Sequence, residues 1–255
     1  MVGVPLILLA VWFGGWPLLF LTAVIMIIGT FEMTAMLRKM QLNPPLLLLV
    51  GSIIWLLAVT AVWGANSIAF SMAVILLAMM ITVVFWYPQY SFLDGAMGLL
   101  SIFYISFFVY MYLIRDLPRG WIWLVFVLLA TWASDTIAYV VGRKLGKRKL
   151  APALSPGKTV AGAIGGLCGS LAVGIIFSLI YPFLSLWFLL SLGLLVGLAA
   201  QLGDLWESAI KRTAGTKDAG KIIPGHGGVL DRFDSMFFTA PVVYYYLMLT
   251  KDIMR

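Results

Sequence analysis

Six acidic residues in the C-terminal half of the chain are the groups best suited to chemistry. Two pairs among them are three residues apart, a spacing that puts both members on one face of a helix. Carboxylates are hard oxygen ligands that suit Mg²⁺, which usually takes one or two of them and completes its shell with water and phosphate oxygens. The alternative is that these acids only neutralise nearby cations. The six are Asp135, Asp204, Glu207, Asp218, Asp231 and Asp234.

A basic segment at 142–158 is suited to an anion. It leads into a predicted helix through Ser155, Lys158 and Thr159, and the free N–H groups and dipole of a helix start favour phosphate. It is not a P-loop, because Pro152 stands where that motif requires glycine. Two alternatives remain. The basic run could attract anionic lipid headgroups, and Ser155 and Thr159 could be only helix caps.

A second polar segment, 207–232, combines cations with glycines. Its glycines Gly225, Gly227 and Gly228 permit close approach of the backbone to a ligand. Its single histidine, His226, lies among these glycines, which favours phosphate binding or proton handling over a structural role. The cations that could offset phosphate charge are Lys211, Arg212, Lys217 and Arg232.

The rest of the chain must hold these groups in a membrane. Hydrophobic residues make up 63% of the 255 residues and charged residues 11%, against roughly 25% charged in soluble domains. The apolar runs predict an all-α, polytopic transmembrane bundle. We divide it into N-terminal membrane helices, 1–118, and a C-terminal catalytic region, 119–255. About nine helices are predicted, at about 2–14, 17–37, 44–63, 67–86, 95–114, 120–141, 159–181, 184–206 and 233–250.

The distribution of cations predicts the orientation of the bundle. With strict alternation of the helices, thirteen of the seventeen Lys and Arg residues fall on one side, which the positive-inside rule makes cytoplasmic. The basic segments and the six acids then lie at that side, where they can converge. The first helix is short for a full span, so its role in the topology stays open.

Other acids and glycines receive simpler interpretations. Glu32, inside the second apolar run, is interpreted as an interfacial charge, with a site residue as the alternative. Asp94, Asp116 and Asp252 are interpreted as ordinary loop or tail charges. Glycines four residues apart predict close helix packing within the bundle, with a dimer seam as the alternative. They are Gly162 with Gly166, Gly165 with Gly169, and Gly193 with Gly197.

The C-terminal half resembles the phosphatidate cytidylyltransferases, also called CDP-diacylglycerol synthases. The stretch from Ser208 to Asp234 carries that family's residues in its order and spacing, including Pro-Gly-His-Gly-Gly and Asp-Arg-x-Asp. A second block, from Trp132 to Gly166, is also similar, and together they cover about 132–235. Two positions depart from the family pattern: Ile137 replaces an expected glycine, and Val160 an expected aromatic residue. Neither is ionisable, so packing is affected more than chemistry.

The resemblance implies transfer of a cytidylyl group from CTP to phosphatidate in phospholipid biosynthesis. It further implies a multi-pass protein of the cytoplasmic (inner) membrane, a homodimer, Mg²⁺, and K⁺ as a candidate second cation. The implied metal ligands are Asp231, Asp204 and Asp234, and the other implied catalytic residues are Lys211, Arg212 and His226. The implied substrate-binding residues are Ser155, Lys158, Thr159, Ser208, Lys217, Asp218, Gly227, Gly228, Arg232, Asp135 and Glu207.

Three other functions remain open. A CTP-dependent lipid kinase or a cytidylyltransferase acting on another lipid would use similar groups. An ion-coupled transporter would also place acids in a membrane, although near the midplane rather than at one face. Nucleic acid is not an expected partner, because the cations border membrane spans. The expected partners are therefore CTP, phosphatidate and membrane lipids.

Overall fold

The computed structural model is almost entirely α-helical, as predicted, and describes residues 3–222, 225 and 227–250. The helices in these residues are α1 (Gly3–Phe13), α2 (Gly15–Lys39), α3 (Leu46–Trp63), α4 (Ser67–Phe85), α5 (Phe92–Ser106), α6 (Val109–Asp116), α7 (Gly120–Leu145), α8 (Val160–Ile180), α9 (Leu186–Thr213) and α10 (Leu230–Thr250). A 3₁₀ turn, Gly64–Asn66, joins α3 to α4. The strands are β1 (Lys149–Ala151) and β2 (Ser155–Thr159).

The predicted helices correspond to the observed ones with two kinds of difference. The fifth predicted helix is divided into α5 and α6. Helices α7 and α9 run further than predicted, to Leu145 and Thr213. The prediction ended them at the charged clusters that follow, but basic side chains are favourable in the last turn of a helix, where they face the negative end of its dipole. Both helices carry two basic residues in that turn, so they extend beyond their apolar parts.

A β-hairpin in the basic segment 142–158 was not predicted. Strands β1 and β2 pair antiparallel, with Lys149 opposite Thr159 and Ala151 opposite Ser155. The backbone N–H of Val160 also donates to the carbonyl of Arg148 at 2.9 Å. Strands of three and five residues are too short to show a recognisable alternation of apolar and polar side chains.

Six helical stretches in the described residues are long and apolar enough to cross a membrane, so the chain is an integral membrane protein. One of them, Leu46–Phe85, contains α3 and α4. Helix α1 has 11 residues and rises only about 16 Å, well short of a hydrocarbon core of about 30 Å. The first predicted helix is therefore too short to span the bilayer alone.

The chain forms two compact units, which are discontinuous in sequence. The first unit is Met1–Leu113 with Ile210–Arg232, and the second is Ile114–Ala209 with Phe233–Arg255. The division at 118 that the sequence suggested stays a prediction. The segment 210–232, which the sequence analysis grouped with the C-terminal region, belongs to the unit of the N-terminal helices.

In the first unit, α5 packs against α2, α3 and α4, and its start is fixed by a buried acid. Asp94 Oδ2 accepts hydrogen bonds from the backbone N–H and the hydroxyl of Ser91, both at 2.7 Å, in a capping box. Asp94 Oδ1 accepts from the backbone N–H of Asn43. The interpretation of Asp94 as an ordinary loop charge was wrong, because its carboxylate joins the 43–45 segment to the start of α5.

In the second unit, the predicted glycine spacing packs helices against one another. A Cβ at Gly169 would lie 2.7 Å from the carbonyl oxygen of Ala133 on α7, and one at Gly193 would lie 2.8 Å from that of Ser170 on α8. Real Cβ contacts are not this short, so only glycine allows these helices to approach so closely. All six glycines of the pattern abut a neighbouring helix of the same chain, which confirms the packing prediction.

Candidate active site

The predicted site residues form two groups, and each lies within one compact unit. The second unit contains a cavity beside the hairpin, together with a cluster of carboxylates. The first unit contains the glycine-rich loop between α9 and α10, together with the ion pair of Lys211 and Asp231.

The cavity in the second unit has a volume of about 550 Å³. It is lined by residues of α7, the hairpin, α8 and α9, and it contains five of the predicted site residues. Ala138, Tyr139, Gly142 and Gln201 contribute to its other walls, and the Gln201 side-chain amide donates to the carbonyl of Ala163 at 3.0 Å. The five predicted residues are Asp135, Ser155, Lys158, Thr159 and Asp204.

An ion pair lies in the wall of this cavity. Lys158 Nζ on β2 is 2.7 Å from Asp204 Oδ1 on α9, with 23% and 37% of the two side chains exposed. The hairpin explains how Lys158 reaches Asp204, because Lys158 lies in β2 and its side chain extends to α9. Because Lys158 also lines the cavity, its ammonium group is a candidate donor to a phosphate oxygen bound there.

Several further acids surround Asp204. Asp135 on α7 and Asp234 on α10 are close enough to Asp204 to repel it electrostatically, and Glu207 repels Asp234 in the same way. Glu207 is fully buried. A Cβ at Gly203 would lie 2.6 Å from the carbonyl oxygen of Asp234, so this glycine lets α9 and α10 approach closely. The predicted convergence of acids is confirmed for these four.

The chemistry of these donors fits a divalent cation. Repelling carboxylates gain from an added positive charge, and Lys158 supplies only one. Within the described residues, no three His, Cys, Asp or Glu side chains are arranged around a common position. Mg²⁺ needs no such cage when nucleotide phosphates and water complete its shell. Asp204 and Asp234 are the carboxylates of this unit that the sequence analysis assigned to the metal.

Thr159 and Ser155 have different roles. The Thr159 hydroxyl, which is buried, accepts a hydrogen bond from the backbone N–H of Gly162 at 3.1 Å and so caps α8. Gly142 and Gly146 leave room for this threonine against the end of α7. Thr159 is therefore a helix cap, and because it also lines the cavity its substrate-binding role stays a prediction. The helix-cap alternative is wrong for Ser155, which lies in β2 and lines the cavity.

In the first unit, Asp231 organises the loop between α9 and α10. Its Oδ1 accepts from Lys211 Nζ at 2.7 Å, and its Oδ2 accepts from the backbone N–H groups of Ala219 and Gly228, at 2.9 and 2.7 Å. Burial raises the pKa of Asp231, but the hydrogen bond from Lys211 and the backbone donors outweigh it and hold the pKa below its ordinary value. A metal at Asp231 would have to displace or share one of these contacts, so the predicted role of Asp231 as a metal ligand stays a prediction.

Two glycines in this loop have a backbone conformation that favours glycine. Gly225 and Gly227 have φ of +71° and +84°, in the left-handed region that favours glycine. A Cβ at Gly227 would lie 2.6 Å from Asp231 Oδ2. His226 lies outside the described residues, so its proposed phosphate or proton role stays a prediction.

The remaining predicted residues of segment 207–232 divide by exposure. Ser208 is buried near the end of α9. Arg212, Lys217, Asp218 and Arg232 are exposed, as groups that receive a soluble nucleotide would be. Their roles in substrate binding stay predictions.

Sequence reasoning missed the role of Glu32. This residue of α2 is only 4% exposed, and its two oxygens accept hydrogen bonds from the backbone N–H groups of Val229 and Leu230, both at 2.9 Å. The interpretation as an interfacial charge was therefore wrong. The available signal was the high cost of a carboxylate within an apolar helix, which requires a partner. Its partners are backbone groups almost 200 residues away, which side-chain types do not reveal.

Comparison with known proteins supports one family. A family model described as the cytidylyltransferase family matches residues 1–250. The chain is 42% identical over 156 residues to a phosphatidate cytidylyltransferase of Staphylococcus saprophyticus, a match that covers 61% of this chain and 60% of the relative. Proteins of the same name from Staphylococcus haemolyticus and Staphylococcus aureus are 41% and 40% identical over 157 residues, with the same coverage.

These alignments leave part of each protein unmatched. The chain spans about 60% of the length of the curated relatives that it matches. The family model, in contrast, extends over nearly the whole chain and includes every described residue of both site groups. The chain therefore belongs to the cytidylyltransferase family.

Proposed function

We propose that this membrane protein is a phosphatidate cytidylyltransferase, which converts CTP and phosphatidate to CDP-diacylglycerol and pyrophosphate in phospholipid biosynthesis. The observation that carries the proposal is the cavity in which Lys158 pairs with Asp204 beside a cluster of further carboxylates. Such a combination suits a nucleotide that arrives with a divalent cation. The family match and the names of the relatives support the choice of reaction.

The proposed reaction is a displacement at phosphorus. An oxygen of the phosphatidate phosphate forms a bond to the α-phosphorus of CTP, and the bond from that phosphorus to the β-phosphate bridging oxygen breaks. Pyrophosphate leaves with the electron pair. Because phosphatidate is already an anion near pH 7, no strong base is needed. The main barrier is the approach of two anions, which cations and positioning lower.

Residues of the second unit would meet the charged part of CTP. Lys158 would donate to a phosphate oxygen, with Ser155 and the hairpin backbone beside it. Asp204 and Asp234 would hold Mg²⁺, which supplies charge neutralisation at the phosphates when bound. Asp135 and Glu207 would keep the cluster negative enough to retain the ion. A second cation such as K⁺ is part of this proposal and rests on the family resemblance.

Residues of the first unit would act through the glycine-rich loop. Its exposed cations Arg212, Lys217 and Arg232 would donate to phosphate oxygens, and Lys211 is held in place by Asp231. His226 would bind phosphate or handle a proton. Asp218, Gly227 and Gly228 lie in the same loop. Asp218 would orient a basic neighbour, and the two glycines would allow the backbone to approach a phosphate.

The proposed setting is the inner membrane with the catalytic segments facing the cytoplasm. The support is the bias of thirteen of seventeen Lys and Arg residues to one side. CTP would then arrive from water and phosphatidate from the bilayer. A homodimer completes the proposal and is supported by the family resemblance alone.

The experiment that tests the function compares lipid acceptors. The purified protein in detergent is given CTP, Mg²⁺ and either phosphatidate, diacylglycerol or a polyprenyl alcohol, and pyrophosphate release is followed. We expect release with phosphatidate only, and none from an Asp204→Asn variant that folds normally. Pyrophosphate release with diacylglycerol or the polyprenyl alcohol but not with phosphatidate would reassign the acceptor, and release of CDP in place of pyrophosphate would indicate a lipid kinase. Absence of release with every lipid would reject the proposal.

A further inference from the structure

Glu32 contacts the two stretches of chain that also hold Asp231. The N–H groups of Val229 and Leu230 donate to Glu32, while that of the preceding residue, Gly228, donates to Asp231. On the other stretch, Ala219 donates to Asp231, and the next residue, Gly220, lies directly against the Glu32 carboxylate. The two carboxylates therefore hold the same two stretches of the loop.

The fit around Glu32 leaves no space for a larger loop residue. A Cβ at Gly228 would lie 2.5 Å from Glu32 Oε1, and one at Gly220 would collide with the same carboxylate. One turn earlier on α2, a Cβ at Gly29 would lie 3.0 Å from Leu230 Cδ2, so the start of α10 rests against this face of α2. These close contacts fix the course of the loop backbone as well as its distance from α2.

The charge of Glu32 suits its position. A carboxylate at the start of a helix satisfies N–H groups that have no partner within the helix and interacts favourably with the positive end of the helix dipole. Two hydrogen bonds to one carboxylate also orient the donor backbone. An isosteric amide would present an NH₂ group to one of the two N–H donors and would lose the charge.

We propose that Glu32 is a positioning residue for catalysis, which holds the stretches 219–220 and 228–230 so that Asp231 and Lys211 keep the geometry that the reaction needs. It does not touch substrate and acts through the loop backbone. This inference rests on the proposed function, because it assigns a role in that reaction to a residue outside the stretch from Ser208 to Asp234 that resembles the family. A residue that merely stabilised the fold would lower stability without a selective effect on turnover.

The test compares Glu32→Gln with Asp94→Asn. Asp94 is the matched control, because it is a second buried carboxylate of the first unit that also accepts backbone N–H groups, at a place outside the loop. Cytidylyl transfer, thermal unfolding in detergent and amide hydrogen exchange are measured on each variant. We expect Glu32→Gln to lower kcat/KM for CTP by roughly 10- to 100-fold and to speed exchange within 219–232. Asp94→Asn should stay within about twofold of the original kcat/KM.

Each other outcome overturns the inference. Unchanged turnover in Glu32→Gln, with an active original protein, rejects the positioning role and leaves the proposed function intact. Equal loss of turnover in both variants would show a general structural effect. If the original protein shows no transfer, the proposed function fails, and exchange alone decides whether Glu32 holds the loop: unchanged exchange at 219–232 rejects it. Should Glu32→Gln not fold, Glu32→Asp, which keeps the charge but shortens the reach, carries the same comparison.

Discussion

The ammonium group of Lys211 lies 2.7 Å from Asp231 Oδ1, with only 13% and 9% of the two side chains exposed. When an ion pair is so little exposed to water, removing one partner lowers the stability of a protein much more than replacing both, because the remaining charge loses its counter-ion in a poorly solvated place. The pair also lies at the junction of α9 and the loop that Asp231 organises. Its removal should therefore be visible in both stability and turnover.

Asp231→Asn should destabilise the protein at neutral pH by about 3 kcal/mol and abolish turnover. The pKa of Asp231 is lower in the folded protein than its ordinary value, so the folded state binds fewer protons and the stabilisation is present above the unfolded pKa of about 3.9. It is lost as the pH falls below that value towards the folded pKa. Thermal unfolding in detergent is measured from pH 7 downwards. The difference in free energy of unfolding between original and variant should stay constant until this acidic range and shrink within it.

The control for this variant is the double replacement Lys211→Met with Asp231→Asn. It removes both charges, so it should recover part of the stability while staying inactive. A single Asp231→Asn variant as stable as the original at pH 7 would contradict the importance of the ion pair. A difference that grows on acidification would contradict the direction of the pKa shift.

Lys158→Met should reduce kcat/KM for CTP by roughly 100-fold, because it removes a cation from the cavity and leaves Asp204 facing the other acids without it. The matched control is Lys144→Met, which removes an exposed cation from the same basic segment outside the cavity lining. Initial rates at several CTP concentrations give the comparison. Equal losses in the two variants would mean that only the overall charge of the segment matters.

Asp204→Asn and Asp234→Asn should each abolish turnover or raise the Mg²⁺ concentration needed for half-maximal rate by roughly tenfold or more. The physical reason is the loss of one carboxylate from a cluster whose repulsion favours a divalent cation. Titration of activity with MgCl₂ measures this, and a chelator should stop the original protein. An Asp204→Asn variant with an unchanged Mg²⁺ requirement would remove that residue from the metal site.

Gly169→Ala should lower the stability of the protein by about 1–3 kcal/mol, because its new methyl group meets the carbonyl of Ala133. Gly51→Ala on α3 is the control, since nothing lies within 4 Å of the added Cβ and alanine is the better helix former. Thermal unfolding in detergent should separate the two. If Gly169→Ala unfolded at the original temperature but dissociated an oligomer, the glycine would belong to a contact between chains instead.

The helices were predictable because apolar runs interrupted by Pro, Gly and charge locate them. The predicted topology then placed Asp135, Asp204, Glu207 and Asp234 on one side of the membrane, where they could converge. Helix ends were less predictable, since Arg143 and Lys144 look like loop residues although they suit the last turn of α7. The hairpin was missed because its strands are too short to carry a pattern.

The roles of Glu32 and Asp94 could not be predicted, because both carboxylates bind backbone N–H groups. Every non-proline residue carries such a donor, so no side-chain type identifies the partner. Asn43 is 51 residues from Asp94, and Val229 is 197 residues from Glu32. Only the folded chain shows which donors these two acids meet.

The most direct test of the proposed reaction follows the phosphorus atoms of CTP. The purified protein is incubated in detergent with phosphatidate, Mg²⁺ and CTP labelled either at the α-phosphate or at the γ-phosphate, and the lipid is extracted and counted. The proposed reaction predicts that the α-label enters the lipid and that the γ-label is released as pyrophosphate. Entry of the γ-label into lipid would instead show a lipid kinase and contradict cytidylyl transfer, and entry of neither label would leave phosphatidate without a role as acceptor.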